Sequence, residues 1–127
     1  MTDIPASHVT AEPVNLEDKL ATFADHGSPR IVATFNDNDI MIVRVDGEFV
    51  WHAHPKTEEL FLVLEGELDI DLRNGTVKLG PGELFVVSRG TEHRPAARNG
   101  EVKMFLIEPR GTLNTGDELT AAQKVAI

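Results

Sequence analysis

Two histidines stand two residues apart in the stretch His52-Ala53-His54-Pro55-Lys56-Thr57-Glu58-Glu59. In extended backbone alternate side chains share a face, so the two imidazoles point the same way. A pair of carboxylates, Glu58 and Glu59, closes the stretch. An apolar run from Leu60 to Leu64 follows and ends at Glu65-Gly66. A further histidine, His93, comes after a Gly80-Pro81-Gly82 turn and a second apolar strand. Three imidazoles and one carboxylate offer enough nitrogen and oxygen donors to hold a divalent transition metal. Neighbours on a strand face opposite ways, so only one of Glu58 and Glu59 can join them without a bulge.

The elements that must position these residues read mostly as strands. Residues 1–14 hold two prolines and no periodicity, which describes an extended arm. Asn15 fits a helix N-cap, with Asp18 at the third helical position. Leu16, Leu20 and Phe23 then share one helical face, and Gly27 and Pro29 end a helix expected over 15–26. His26 would sit at its C-terminal end, where an imidazolium suits the helix dipole. From Arg30 the period changes to two. Strands are expected at 31–35, 40–45, 49–52, 59–65, 67–73, 76–79 and 83–87, then around His93 and at 102–107. Asn36 to Asp39 reads as a turn, and Asn74-Gly75 as a type I′ hairpin turn. Many short strands at close spacing predict an all-β sandwich or barrel. The tail from Arg110 is broken by Gly111 and Gly116, with one weak helix expected over 117–125.

Composition narrows the function classes. The chain has 127 residues, enough for one domain with a core of its own. It is 41% hydrophobic with a formal net charge of −9, and no Lys/Arg cluster offsets that charge. Nucleic acid and anionic membrane are thus not expected as partners. No apolar run approaches the roughly 18 residues of a membrane-spanning helix. The start of the chain has neither the basic region nor the apolar stretch of a secretory signal, so a cytoplasmic location is expected. Cysteine is absent, which removes disulfide and thiolate chemistry.

The histidine stretch resembles the first motif of the cupins, G-x5-H-x-H-x3–4-E-x6-G. His52, His54, Glu59 and Gly66 match it, and Gly47 precedes His52 by one residue fewer than the pattern. The second motif, G-x5-P-x-G-x2-H-x3-N, is followed in spacing by Gly82, Gly90 and His93. Ser88 stands where the family usually has Pro, and Ala97 where it often has Asn. The resemblance covers residues 40 to 107. It implies a jelly-roll barrel of two antiparallel sheets, with a domain over 15–109 and the barrel over 30–109. It also implies metal ligation by His52, His54, Glu59 and His93 in the barrel mouth. The six residues from Glu59 to Gly66 select Glu59 over Glu58.

Three His and one Glu leave about two positions of an octahedral metal open to water or substrate. A structural zinc site would be closed and usually Cys-rich. Iron or manganese suits such an open site best, with zinc, nickel and copper as alternatives. Residues sharing parity with the ligands are Val50, Phe61, Val63, Pro95 and Ala97, mostly apolar, and the chain has no Tyr. No Lys or Arg at that parity is placed to grip a phosphate.

The expected role is a metal-dependent enzyme on a small organic molecule bound in the barrel, with isomerase- or oxygenase-type chemistry. The alternative is a non-catalytic binding or sensing module using the same pocket. A homodimer is expected, with the 1–14 arm crossing to the second copy.

Overall fold

The computed structural model describes residues 12–115 and 124–127. Asn15 caps a short helix, α1 (Leu16–Leu20), and its side chain accepts a hydrogen bond from the Asp18 amide at 2.9 Å. The helix is five residues long and does not reach His26. Its last turn is closed by Thr22, whose hydroxyl and amide both donate to the Lys19 carbonyl. Phe23 lies beyond the helix and packs under the Arg30 guanidinium, 4.2 Å from its ring centroid.

Eight strands follow: β1 (Arg30–Phe35), β2 (Asn38–Glu48), β3 (Glu59–Glu65), β4 (Leu68–Leu72), β5 (Gly75–Leu79), β6 (Leu84–Val87), β7 (His93–Pro109) and β8 (Val125–Ala126). Hydrogen bonds connect them in the order β5-β4-β7-β2-β1-β8, and β3 joins β7 to β6. All pairings are antiparallel except β1 with β8. The molecule is all-β, and among the described residues its sheet does not close on itself.

The 17-residue β7 organises the barrel. It takes in both the short strand expected at His93 and the strand expected at 102–107. Its first part pairs with β4 and the end of β2, and its second part with β3 and the rest of β2. Gly100, at φ 104°, lies between the two parts. Inward side chains of both parts meet in one core with Met41, Phe61, Val63, Leu68, Ile70, Val102 and Met104, all almost fully buried. Each such side chain contributes roughly 1.5–3 kcal/mol by leaving water.

The turns differ from expectation in one respect. Asn36 and Asp37 are the non-glycine residues at positive φ, 48° and 61°, among those described. They form the two-residue loop between Phe35 and Asn38, which pair directly. That is the type I′ requirement of positive φ at both central positions. At the other hairpin Leu72 pairs with Gly75, so the loop is Arg73-Asn74, and neither has positive φ. The type I′ turn expected at Asn74-Gly75 is therefore at Asn36-Asp37, because pairing starts one residue earlier than the Asn-Gly rule assumes. Gly66, at φ 93°, is demanded twice over: a Cβ there would lie 2.8 Å from the Glu101 carbonyl oxygen.

Residues 1–11 of the expected arm lie outside the described residues, as does most of the expected 117–125 helix. Val125, at the end of that span, is extended and pairs with Arg30.

Candidate metal centre

Each candidate ligand is delivered by a different constraint. Residues 49–52 are not a regular strand but run along β7. The Phe49 amide donates to the Pro95 carbonyl, and His52 and His93 exchange both backbone hydrogen bonds, at 3.0 and 2.9 Å. That exchange puts the two imidazoles side by side, with ring centroids 4.3 Å apart. Trp51, one residue out of phase, faces the other way and packs under the Arg73 guanidinium at 3.8 Å. It thus holds the His52 segment against the β4–β5 hairpin. Farther along, the His54 carbonyl accepts from the Gly90 amide at 2.8 Å. Glu59 opens β3 and pairs with Val87.

The four side chains converge. One donor atom from each of His52, His54, Glu59 and His93 can be chosen so that all lie within 4.8 Å of one another. All four residues are buried, and His93 completely so. Glu58 is exposed, and Glu92 is exposed and bonded to Arg73.

The hydrogen bonds leave the right nitrogens free. The Nδ1–H of His52 donates to the Val50 carbonyl and that of His93 to the Thr91 carbonyl, both at 2.9 Å. This fixes each ring in the tautomer whose Nε2 carries a lone pair. His54 Nε2, His93 Nε2 and Glu59 Oε1 are buried without a hydrogen-bond partner. They face one another, with Oε1 3.3 Å from the first nitrogen and 3.5 Å from the second. Buried polar atoms are nearly always satisfied. Three unpartnered buried polar atoms facing one another are what a cation would resolve, so the residues present fit a bound metal.

The electrostatics agree. Burial, with His93 nearby, drives the His52 pKa down to about 4, so the ring is neutral and able to ligate. Burial alone would raise Glu59, but hydrogen bonds donated by His54 and His93 when Nε2 carries a proton outweigh it and hold the carboxyl below its usual range, and a bound cation would take the place of those protons. Behind Glu59 lies Glu108, 1% exposed, whose carboxyl is pushed up to about 8 by burial and by the Glu59 charge. Lys124 opposes that shift, its Nζ 2.7 Å from Glu108 Oε1. Neither residue stands out from spacing alone, because Lys124 comes from the far end of the chain.

A cavity of about 40 Å³ leads to His52 and Glu59. Its walls are Val43, Phe49, Phe61, Pro95, Met104 and Leu106, with Val45 and Asn114 nearer the mouth. Of the residues expected at ligand parity, Phe61 and Pro95 line it. Val63 and Ala97 are in the core, while Val50 is 47% exposed. Between the Glu48–Ala96 and His52–His93 pairs the segment carries one residue more than β7, which breaks the alternation on which Val50 was placed.

Residues 39–108 match the model of the cupin domain family. The chain is a cupin. Among solved structures it is similar to a cupin-2 domain protein from Shewanella frigidimarina, 45% identical, covering 76% of this chain and 94% of that one with a TM-score of 0.75. It is also similar to protein NMB1881 from Neisseria meningitidis, 27% identical, covering 77% of this cupin and 99% of that chain with a TM-score of 0.70. Among curated proteins it resembles YdbB of Bacillus subtilis, 39% identical over 64 residues. That match spans 50% of this cupin and 57% of YdbB.

Proposed function

We propose that this cupin holds one divalent transition metal through His52, His54, Glu59 and His93 and acts on a small organic molecule entering by the apolar cavity. The observation that carries the reading is the trio of buried, unpartnered atoms on His54, Glu59 and His93. A bound metal would supply Lewis-acid or oxygen-activating chemistry; an open octahedral site would suit iron or manganese best, with zinc, nickel and copper as alternatives that accept the same donors. The chain's own residues orient the ligands from behind and keep bulk water out with Phe49, Phe61 and Met104. Isothermal titration of chelator-stripped protein with Mn²⁺ tests the reading. One site per chain that disappears in Glu59→Gln supports it, and no uptake by the wild type refutes it.

One observation favours a second reading, a non-catalytic binding or sensing module. Apart from His52 and Glu59, no residue lining the cavity carries a titratable side chain. A general acid or base is therefore not supplied by the described walls, and any catalysis rests on the metal.

The functional unit is the domain over 15–109, flanked by the 1–14 arm and the 110–127 tail, in a cytoplasmic protein. It works as a homodimer. Strand register builds two apolar rows on the outer sheet face, Val86-Leu60-Ile107-Ile40 and Leu84-Leu62-Phe105, the second running into Ile42, which is already fully buried within the chain. Leu84 and Val86 are 57% and 42% exposed, on an edge strand bonded on one side only. A self-complementary contact across a twofold axis would cover such an uncharged face on a chain of net charge −9.

A further inference from the structure

The charges around the cavity restrict what can enter it. All twelve Lys and Arg residues fall among the described residues, since residues 1–11 and 116–123 contain neither. Each can therefore be located, and none lines the cavity that leads to His52 and Glu59. Five of them are engaged elsewhere: Arg44 with Glu101, Arg98 and Arg94 with Asp71, Lys103 with Glu65, Lys124 with Glu108. Lys56 and Arg89 border a different depression, beside the outward-facing Leu60 and Ile107.

The mouth adds negative charge. The cavity shares Gly27, Val45, Phe49, Pro95 and Asn114 with a shallower basin of about 380 Å³. That basin is bordered by Asp46 and Glu48, both exposed, and by His26, which is bonded to Glu101 at 2.8 Å. Glu48 is shared by Arg98 and Arg94, whereas no ion pair to Asp46 is seen among the described residues.

We infer that the site selects small molecules that are uncharged beyond the one group presented to the metal, with an apolar remainder, and rejects those carrying a second anionic group such as a phosphate or carboxylate. The inference rests on the metal-site reading above and names its substrate class. A molecule gives one oxygen-bearing group to the centre and lays the rest against Phe49, Phe61, Pro95 and Met104. A carboxylate on that remainder would lose its water with no cation to replace it, and would pass Asp46 on the way in.

The test uses the full chain loaded with Co²⁺ and two probes with one metal-binding head. Butyrohydroxamic acid carries an alkyl tail, and succinomonohydroxamic acid a tail of equal length ending in a carboxylate. Binding is read from the visible Co²⁺ absorption. The alkyl probe is expected to bind at least tenfold more tightly. A ratio below tenfold, or a preference for the carboxylate, overturns the inference while leaving the metal site standing. Absence of the Co²⁺ band shows instead that the metal reading has failed. The same two probes are then compared by amide chemical-shift titration at Val45 and Phe49, where equal or stronger binding of the carboxylate overturns the inference, and preference for the alkyl tail sustains the selectivity.

Discussion

Lys124 Nζ lies 2.7 Å from Glu108 Oε1, so the end of the chain supplies the counter-charge for a carboxyl buried directly behind Glu59. Asp39 is also within 3.8 Å of that ammonium, and Lys124 has an 11% exposed side chain. The two-residue β8 that follows it pairs in parallel with β1. The tail is thereby tied to the sheet and to the floor of the candidate centre at once.

Removing that cation should be costly. Lys124→Met keeps the aliphatic stem but leaves Glu108 and Asp39 buried without it. Urea denaturation of the metal-free protein at pH 9, above the Glu108 pKa of about 8 and so with that carboxylate ionised, is expected to show a loss of about 3 kcal/mol, the scale for breaking a buried pair from one side. The double variant Lys124→Met/Glu108→Gln should recover much of the loss. Equal destabilisation in single and double variants would mean that the pair is not coupled.

The pH dependence follows from His52. Its folded pKa, about 4, lies below the ordinary 6.5, so between those values the unfolded chain binds the proton that the folded chain refuses. This stability is present in full above about 6.5 and is lost as pH falls toward 4. The loss is on the order of 2–3 kcal/mol for the metal-free protein. His52→Gln should flatten the stability profile in that window, as measured by chemical denaturation at a series of pH values. An unchanged slope would place the titration on another group.

The apolar outer face predicts assembly. Light scattering at micromolar concentration should give the mass of two chains for the wild type. Leu84→Asp/Val86→Asp should give one, since each copy would bring two desolvated carboxylates to the contact, four in all. A wild-type monomer, or a dimer unmoved by the double variant, counts against this face.

Much of this was legible in the sequence, for local reasons. The unbroken apolar run of Leu60 to Leu64 and the alternation of Leu68 to Leu72 depend on residues adjacent in the chain, and β3 and β4 lie where those patterns put them. The convergence of His52, His54, Glu59 and His93 was readable because two short motifs encode it. Other features are long-range. Nothing near Val102 announces that the His93 strand continues into it, since the continuity is set by pairing with β2, β3 and β4. The turn at Asn36 to Asp39 is legible, but its two-residue type I′ form is not, because register and not dipeptide identity decides which residues occupy the loop. Helix α1 stopped early once Thr22 bonded the Lys19 carbonyl. Glu108 and Lys124 are 16 residues apart and come together only when the tail docks on β1.

The most direct test is elemental analysis of protein purified without a chelating column, beside His52→Ala/His93→Ala handled in the same way. About one transition-metal ion per chain in the wild type, and none in the double variant, is the predicted result. Metal-free wild-type protein that takes up no added ion, with the double variant equally stable, would contradict a metal centre at these four residues.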